Sequence, residues 1–329
     1  MQRSTNKLEV SPLGRAGSLP RALFLFFVIG SLVLSAQNGV PSTATIKVDV
    51  NLVVLHVAVR ARGGAFVTDL PRDAFHLFED GKPQHIRLFE SGDVPVTMGL
   101  IVDSSGSMRR KRHDVIAAAL ALVRASNPQD ELFVVNFNDR VSLGLPANEL
   151  FSAKIPELEE SLSTAPATGR TALYDAVETG LAHLKKGTRD KKVLVVISDG
   201  GDNASHETLA RVLQDAERSN VIIYTIGLLD QESADQRPGI LKRMARITGG
   251  EAFFPGQTSQ LVEICQAIAA DIRHQYTIGY LSSNQNLDDT WRTIKVTVTP
   301  PHGEKLHVRT RDGYRASPPG QSSPSPENP

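Results

Sequence analysis

The sequence has a single cysteine and no excess of charge of either sign. Its one thiol, Cys265, lies in the helical pattern QLVEICQAIAADI and cannot form an intramolecular disulfide. No base or cation beside it in the sequence marks it as reactive, which favours a buried structural role. Lys and Arg number 36, as do Asp and Glu, so the composition indicates no basic surface for nucleic acid.

Motifs of common nucleotide-binding and hydrolytic enzymes are also missing. The sequence has no phosphate-binding loop, no G-x-G-x-x-G fingerprint, no H-E-x-x-H zinc helix and no G-x-S-x-G nucleophile turn. The nine histidines do not cluster, and His206-Glu207 lacks a second histidine at metal-ligand spacing. We therefore expect a protein that binds no nucleotide and is not an enzyme.

The most hydrophobic run of the sequence is too short for a membrane span. Residues Ala22–Leu34 are uncharged, follow four basic residues and precede small residues ending at Ala36, a pattern typical of a secretory signal peptide. A spanning helix needs ~20 apolar residues, so an uncleaved anchor is the weaker interpretation. Residues 1–36 hold four bases and one acid, which leaves 32 Lys and Arg against 35 Asp and Glu, a formal charge of −3. We expect a secreted, periplasmic or otherwise extracytoplasmic protein, cleaved near Ala36 and without a stable membrane span.

Buried-strand patterns alternate with helical patterns between residues 94 and 274. Apolar runs such as MGLIVD, ELFVVNF, VLVVIS and VIIYTIG are separated by amphipathic segments such as DVIAAALALVRAS and TALYDAVETGLAHLKK. Near-continuous Val, Ile and Leu runs are typical of parallel strands covered on both faces. The middle of the chain is therefore predicted to be an α/β domain with a doubly wound, mostly parallel sheet.

Strand patterns of a different kind lie on both sides of that domain. Residues 46–93 and 275–315 contain alternating apolar and polar side chains, typical of half-buried strands. The segment EDGKP places an Asp-Gly turn between two such runs and predicts a hairpin. Because few strands come from each flank, we expect the flanks to pack together as a β-sandwich-like unit into which the α/β domain is inserted. Residues 37–45 are a predicted linker, and residues 316–329 a predicted disordered Pro/Ser tail.

Oxygen-bearing side chains follow two predicted strands and open one predicted helix. They lie in IVDSSGSM, TGRTALYDA and VVISDGGDN and are Asp103, Ser105, Ser107, Thr171 and Asp199. Loops at the carboxyl ends of parallel strands meet in one crevice, and hard cations such as Mg²⁺ take oxygen ligands with only one or two carboxylates. Each motif alone could be a helix cap or a turn, but the linked set predicts one divalent-cation site.

The order of these motifs resembles the von Willebrand factor type A domain with an intact metal-ion-dependent adhesion site. The resemblance rests on D-x-S-x-S after the first strand, the threonine of TGRTALYDA and the aspartate of VVISDG, and covers roughly residues 94–274. The flanking segments EDGKPQHI and RTRDGY are similar to those of secreted bacterial von Willebrand A-related proteins, prominent in acidobacteria.

The resemblance implies a role for each oxygen ligand. Ser105 and Ser107 would contact the metal directly, Thr171 would do so in the ligand-ready state, and Asp103 and Asp199 would hold coordinated waters. The implied cofactor is Mg²⁺, with Mn²⁺ or Ca²⁺ as alternatives. An Asp or Glu carboxylate of a protein partner would complete the coordination shell.

Residues beside this set are candidates for a partner-binding rim. The predicted rim consists of Arg109, Arg110, Gly169, Arg170, Gly200 and Asp202. The basic run 109–112 could steer acidic partners by long-range attraction or could be a solvated helix turn. Asp202 could contact the partner, although an Asx-type turn is the favoured interpretation.

The sequence thus predicts a secreted, non-enzymatic module that captures an acidic residue of a partner protein through a bound Mg²⁺. Two alternatives stay open. In one, the same cation activates water and the protein is a metal-dependent hydrolase, although the sequence indicates no general base. In the other, the protein is a structural envelope module whose metal only stabilises loops.

Overall fold

A computed structural model of the chain describes residues 52–229, 236–300 and 303–317. The predicted signal peptide, the predicted linker, the first residues of the N-terminal β segment and nearly all of the predicted Pro/Ser tail lie outside these residues. No helix within the described residues is long and apolar enough to cross a membrane.

Six α-helices lie in the described part of the chain. Thr208 starts one of them by accepting a hydrogen bond from the Arg211 backbone N–H (3.3 Å), as an N-cap threonine does. Gly249, with φ +81°, ends another in the left-handed conformation that favours glycine. The helices are α1 (Arg112–Ala125), α2 (Ile155–Ser163), α3 (Leu173–Leu184), α4 (Leu209–Arg218), α5 (Pro238–Thr248) and α6 (Leu261–Arg273).

The described strands form three sheets. They are β1 (Leu52–Ala61), β2 (Phe75–Glu79), β3 (Lys82–Gln84), β4 (Ile86–Glu90), β5 (Val96–Asp103), β6 (Glu131–Phe137), β7 (Val141–Leu143), β8 (Lys191–Ser198), β9 (Val221–Gly227), β10 (Ala252–Phe253), β11 (Tyr276–Leu281), β12 (Trp291–Val298), β13 (Leu306–Arg309) and β14 (Gly313–Arg315).

The central sheet has the order β10-β9-β8-β5-β6-β7 and is parallel except for β7. Strand β5 lies between β6 and β8 and is buried along its whole length. The chain moves from β5 to one side and later returns to the other side, so the sheet order reverses at β5. The predicted doubly wound α/β fold is confirmed, and its ligand crevice is expected at the carboxyl end of β5.

Two antiparallel four-stranded sheets, in the orders β13-β1-β11-β4 and β14-β12-β2-β3, combine strands from both flanks of the α/β domain. Strand β1 pairs with β11 and β13, and strand β2 pairs with β12. A second hydrophobic core, separate from that of the central sheet, lies between them and includes Leu55, Leu77, Tyr276 and Ile294. Each outer sheet is therefore built from segments that lie far apart in the sequence.

The Asp-Gly hairpin predicted in EDGKP is present between β2 and β3. Asp80 has φ +47° and Gly81 φ +76°, the positive values that a two-residue type I′ turn requires at both central positions. The run after the turn is not one strand, however. It breaks at His85, so that β3 stays with β2 while β4 pairs with β11 in the other outer sheet.

A buried polar cluster connects the last helix of the α/β domain to the outer sheets. The carboxylate of Asp271, on α6, is fully buried and accepts hydrogen bonds from Arg60 of β1 (2.9 Å), from Arg309 of β13 and from the Tyr224 hydroxyl of β9. Burial opposes ionisation of Asp271, but Arg309 and the hydrogen bonds outweigh it and hold the pKa of this carboxyl below its usual value. We name this set the α6 junction.

Candidate metal centre

Asp103 ends β5 and is held by two neighbouring donors. Its Oδ1 accepts a hydrogen bond from the backbone N–H of Ser105 (2.8 Å), and its Oδ2 accepts one from the Ser198 hydroxyl at the end of β8 (2.7 Å). Burial raises the pKa of Asp103 to about 6, and the nearby Asp199 also raises it, against the opposing effect of these hydrogen bonds. Burial disfavours the charged carboxylate of Asp103, and a cation bound nearby would stabilise that charged form.

The hydroxyls of Ser105 and Ser107 lie side by side at the mouth of the crevice. Their Oγ atoms are 3.1 Å apart, and the Ser107 Oγ donates to Asp199 Oδ2 at 2.9 Å. Neighbouring oxygens of an octahedral shell lie about 2.9 Å apart for metal–oxygen distances of about 2.0–2.1 Å, and about 3.3–3.7 Å apart for distances of about 2.3–2.6 Å. The three oxygens therefore lie close enough together to surround one small cation.

Thr171 is brought to the same mouth by the loop that precedes α3. Its backbone N–H donates to the Asn203 side-chain oxygen (2.9 Å), and its carbonyl accepts from the backbone N–H groups of Asn203 (2.9 Å) and Ala204 (3.1 Å). These contacts attach Thr171 to the loop that begins at Asp199. Its side chain is buried.

Two further backbone hydrogen bonds join the Thr171 loop to the serine loop. Thr168 N–H donates to the Ser104 carbonyl (3.0 Å), and Gly106 N–H donates to the Gly169 carbonyl (3.1 Å). Gly169 has φ +80°, and a Cβ at this position would lie 1.9 Å from an Asp139 carboxylate oxygen. Glycine is therefore required here both by the backbone conformation and by the close approach of Asp139.

The donor set consists mainly of neutral hydroxyls. Within the described residues no group of three or more His, Cys, Asp or Glu side chains is arranged to hold a metal. Two carboxylates and three hydroxyls are a donor set for a hard cation such as Mg²⁺. These residues could hold the cation and leave room for an outside oxygen ligand.

The six predicted rim residues are not equivalent. Arg109, Arg110, Gly169 and Arg170 are exposed, and the Arg170 guanidinium donates to the Asn203 carbonyl (3.3 Å). Gly200, in contrast, is buried, and a Cβ there would lie 3.0 Å from the Arg237 carbonyl. It therefore lies beneath the surface and offers no exposed contact.

The favoured Asx-type turn at Asp202 is not formed, because the Ala204 backbone N–H donates to the Thr171 carbonyl (3.1 Å) and not to the Asp202 side chain. The Asp202 carboxylate accepts from the Ser205 hydroxyl (2.5 Å) and from the Tyr174 backbone N–H at the start of α3 (3.3 Å). The side chain thus satisfies a free donor of the first turn of α3. The hydrogen bond from Tyr174 ties the loop after β8 to the helix that follows Thr171, and the one from Ser205 lies within that loop.

The basic run 109–112 is not a uniform solvated helix turn. Helix α1 begins only at Arg112, whose guanidinium donates to the Ser104 hydroxyl and to the Leu162 carbonyl, both at 2.8 Å. Lys111 donates to the Leu228 carbonyl (2.8 Å), and Arg109 to the Ala167 carbonyl (3.2 Å). The sequence offered no stabilising reason for this run, and these contacts supply one.

Sequence reasoning did not predict the supporting roles of three residues that hold the site together, although it considered Asn203 as a rim or turn residue. Ser198 fixes Asp103, Asn203 fixes Thr171, and Asp139 packs against Gly169. Ser198 and Asn203 lie within or beside the VVISDGGDN motif, so their closeness to Asp199 was the available signal. Asp139 follows β6 at the same edge of the sheet, and only the strand order places it there.

Comparison with known proteins gives one family and several similar folds. The family model described as von Willebrand factor type A domain matches residues 98–267. A von Willebrand factor type A structure from Catenulispora acidiphila is 13% identical with a TM-score of 0.49, covering 82% of this chain and 75% of that one. An aerotolerance-related membrane protein from Bacteroides fragilis is 16% identical with a TM-score of 0.43, covering 54% and 98%.

A third similar structure carries a metal. Proximal thread matrix protein 1 from the mussel byssus, with a zinc-occupied MIDAS motif, is 15% identical with a TM-score of 0.45. The alignment covers 54% of this chain and 48% of the mussel chain, so the present chain spans about half of that protein. No curated protein sequence matches the chain.

Proposed function

Because this chain belongs to the von Willebrand factor type A domain family, we propose that it is a metal-dependent protein-binding module. The family is known for metal-dependent protein interaction, and its domains are generally non-enzymatic. In this chain the ligands would be Asp103, Ser105, Ser107, Thr171 and Asp199. The bound cation would accept an Asp or Glu carboxylate of a partner protein.

The observation that carries this proposal is the contiguity of the hydroxyl and carboxylate oxygens at the mouth of the crevice. Ser105 Oγ, Ser107 Oγ and Asp199 Oδ2 are separated by 3.1 and 2.9 Å. Hydroxyl ligands carry no charge, so a cation bound there keeps most of its positive charge and attracts an anionic oxygen from outside. The hydroxyl and carboxylate donors are those of a hard cation, and we propose Mg²⁺, with Mn²⁺ or Ca²⁺ as alternatives.

The chemistry of the surrounding surface is consistent with an acidic partner. Arg109, Arg110 and Arg170 are exposed close to the serine and threonine loops. Asp139 is the one carboxylate that packs directly on Gly169. A partner carboxylate would therefore approach from the arginine side of the mouth.

Calorimetric titration of the mature chain with MgCl₂ tests the metal site. We expect one bound Mg²⁺, and Ser107→Ala should weaken its affinity at least about tenfold because a direct oxygen ligand is lost. Ser107 is exposed, so the variant should fold normally. Ser163→Ala is the matched control, since the exposed Ser163 hydroxyl only bonds the Glu159 carbonyl within α2 (2.8 Å). Equal Mg²⁺ affinity in both variants would exclude the proposed site.

Partner capture distinguishes the proposed function from its two alternatives. The immobilised chain is incubated with native secretions in Mg²⁺, then washed with EDTA, and an Asp103→Ala column is run in parallel. We expect EDTA to release bound protein, the variant to retain none, and prior amidation of the carboxyl groups in the secretions to abolish capture. Capture that survives EDTA would favour a structural module, and turnover of a captured protein would favour a hydrolase.

We further propose that the protein acts outside the cytoplasm, with a signal peptide at residues 1–36 and an inserted binding domain at residues 94–274. The proposal is supported by the N-terminal sequence, in which basic residues are followed by an apolar run and then by small residues. N-terminal sequencing of the protein recovered from its native host should begin just after Ala36. A chain that retains Met1 would contradict cleavage.

A further inference from the structure

An open cleft of about 530 Å³ lies between strands β12 and β13 and helix α5, outside the metal centre. Its lining includes Lys242 and Arg246 of α5, Lys295 and Val296 of β12, and Val308 of β13. Strand β12 belongs to one outer sheet and β13 to the other. The cleft is therefore the place where the two outer sheets separate.

Strand β12 presents an unpaired backbone edge to this cleft. The Thr293 carbonyl accepts from Asp80 N–H (2.9 Å) and Thr299 N–H donates to the Ala74 carbonyl (2.8 Å), both on the β2 side. On the opposite side of β12, the Ile294 N–H donates to the Asp312 carbonyl (2.8 Å). Because backbone groups alternate across a strand, those of Val296 and Val298 point away from β2.

No strand in the described part of the chain covers that edge of β12 beyond Thr293. Strand β14 pairs only with Trp291, Arg292 and Thr293. Among the residues that the structure describes, no strand pairs with Val296 on this side, so its N–H and C=O groups are available to an added strand. An unpaired strand edge of this kind is the surface that strand-addition partners use.

Strand β13 has a free edge on the opposite side of the cleft. Val59 accepts from Val67 N–H (2.9 Å), which places the backbone groups of Val59 on the side away from β13. By the same alternation, Ala58 and Arg60 pair with Arg309 and His307, and the backbone groups of Val308 point away from β1. Two valine backbones without a strand partner on that side, among the described residues, thus line one cleft.

The charge of the cleft favours an acidic occupant. Five of its lining side chains are cationic and two are carboxylates, those of Glu251 and Asp312. Arg309 is already paired with Asp271 and Glu251, but Lys242, Lys295 and Arg246 are exposed. Arg246 lies 3.8 Å from the exposed Asp312 carboxylate, a pair that contributes little because solvent screens it.

We propose that this cleft binds an extended, acidic segment of a partner protein, which adds a strand to the open edge of β12. Side chains alternate along an added strand. Those on the face of Ile294 and Val296 would meet the buried side of the sheet, and those on the face of Lys295 would meet the cations. The partner segment should therefore alternate apolar and acidic residues. This contact is independent of the metal centre.

A synthetic peptide with the sequence TEVEVEVT is a direct probe, titrated into the mature chain in the presence of EDTA. We expect saturable binding and slower exchange of the Val296 and Val298 amide hydrogens, by about tenfold or more at saturation. The same peptide with lysine in place of glutamate should not bind. A peptide with N-methylated valines, which cannot complete the ladder, should bind much more weakly.

Two charge-reversed proteins provide the matched comparison. The double variant Lys295→Glu and Arg246→Glu should lower the affinity for the acidic peptide at least about tenfold. Arg87→Glu, an exposed position on edge strand β4 at the far side of its sheet, should leave the affinity unchanged. Melting temperatures of both variants close to that of the wild type would show that the charges act on binding and not on folding.

Several results would overturn the inference. These are no binding of the acidic peptide, protection of β3 or β4 amides in place of Val296 and Val298, or equal loss of binding in the Arg87→Glu control. Complete displacement by inorganic phosphate at matched ionic strength would identify a small-anion site. Concentration-dependent dimerisation in sedimentation that protects the Val296 amide without peptide would identify a second copy of this chain as the occupant.

Discussion

The arginines of the basic run 109–112 have different structural roles. Arg112 connects the serine loop to α2 through the Ser104 hydroxyl and the Leu162 carbonyl. Arg110, two positions earlier, is exposed. A charge that supports a loop and a charge that meets a partner can therefore be separated by mutation.

We expect Arg112→Ala to lower the free energy of unfolding by about 1.5–3 kcal/mol, because two hydrogen bonds from a charged group are lost. Mg²⁺ affinity should fall as well, since the loop carrying Ser105 loses its support. Arg110→Ala should change neither quantity. Chemical denaturation and Mg²⁺ titration of the two variants measure the difference, and equal stability of both would contradict the supporting role of Arg112.

Lys191 should make the free energy of unfolding vary with pH in the alkaline range. Burial lowers the pKa of this side chain to about 8, against the raising effect of Asp271, Asp130 and Asp93. Between about pH 8 and 10.5 the unfolded chain therefore binds more protons than the folded chain, so stability should rise with pH across this window. The full shift corresponds to a cost on the order of 3 kcal/mol below pH 8.

Lys191→Met removes this titration. As pH rises from 8 to 10.5, the unfolding free energy of the wild type should increase relative to that of the variant. Because the Lys191 ammonium donates to the Ile272 carbonyl, the absolute stability of the variant also contains the loss of that bond. The diagnostic quantity is therefore the pH slope. A difference that stays constant across the window would show that Lys191 titrates normally.

At the scale of the elements, β5 and β6 are packed too closely for any side chain at Gly99. A Cβ there would lie 2.4 Å from Phe133 Cζ and 2.8 Å from Leu194 Cδ2. The Phe133 ring is itself held against His183, with ring centroids 4.4 Å apart. Strand β5, which carries Asp103 at its end, is therefore positioned by contacts that leave no spare volume.

We expect Gly99→Ala to destabilise the fold by about 1–3 kcal/mol through overpacking. Gly99→Ala combined with Phe133→Leu should recover part of that loss. Gly239→Ala is the control, because Gly239 lies in the first turn of α5 with open space around it, and it should be neutral or slightly stabilising. Thermal unfolding of the three variants tests the claim, and a neutral Gly99→Ala would refute it.

Much of the element structure could be predicted from the sequence, and the limits have physical causes. The apolar runs of the central strands and the helical periods between them are local signals, so the α/β fold was predictable. Sheet membership was not. The alternation after the Asp80–Gly81 turn continues through His85, yet β3 and β4 join different sheets, because long-range pairing with β2 and β11 decides the outcome.

In the candidate site, too, some residues could be predicted from local patterns and others could not. Asp103, Ser105 and Asp199 stand out because each belongs to a short motif at the end of a strand. Asp139 lies outside every motif, and its contact with Gly169 arises only because β6 lies beside β5. Supporting residues of this kind depend on strand order, which local patterns do not encode.

At the scale of the whole molecule, the α6 junction links the α/β domain to the outer sheets. Asp271 is fully buried and is contacted by side chains from β1, β9 and β13. Removing one partner of a buried charged cluster leaves the remaining charges uncompensated, at a cost of about 3–5 kcal/mol. The junction should therefore decide whether the molecule unfolds as one unit.

We expect calorimetry of the wild-type chain to show a single unfolding transition and that of Asp271→Ala to show two. Mg²⁺ should raise the temperature of only one of them, because a ligand stabilises the unit that binds it. Lys154→Ala, which breaks an exposed pair with Glu157, should retain one transition. A single transition in Asp271→Ala, at whatever temperature, would show that the two parts are coupled by other contacts.

The dependence of each outer sheet on both flanks has a consequence for how the protein is made. Strands β1 to β4 leave the ribosome first, and β11, the partner of β1 and β4, follows roughly 190 residues later. At about 5–20 residues per second this interval is roughly 10–40 s. During it, β1 and β4 have no sheet partner and the β2–β3 hairpin has an open edge, so a chain stalled in the central domain would present aggregation-prone edges to its surroundings. Chaperone demand during synthesis should therefore depend on how long the strands from β11 to β14 are delayed.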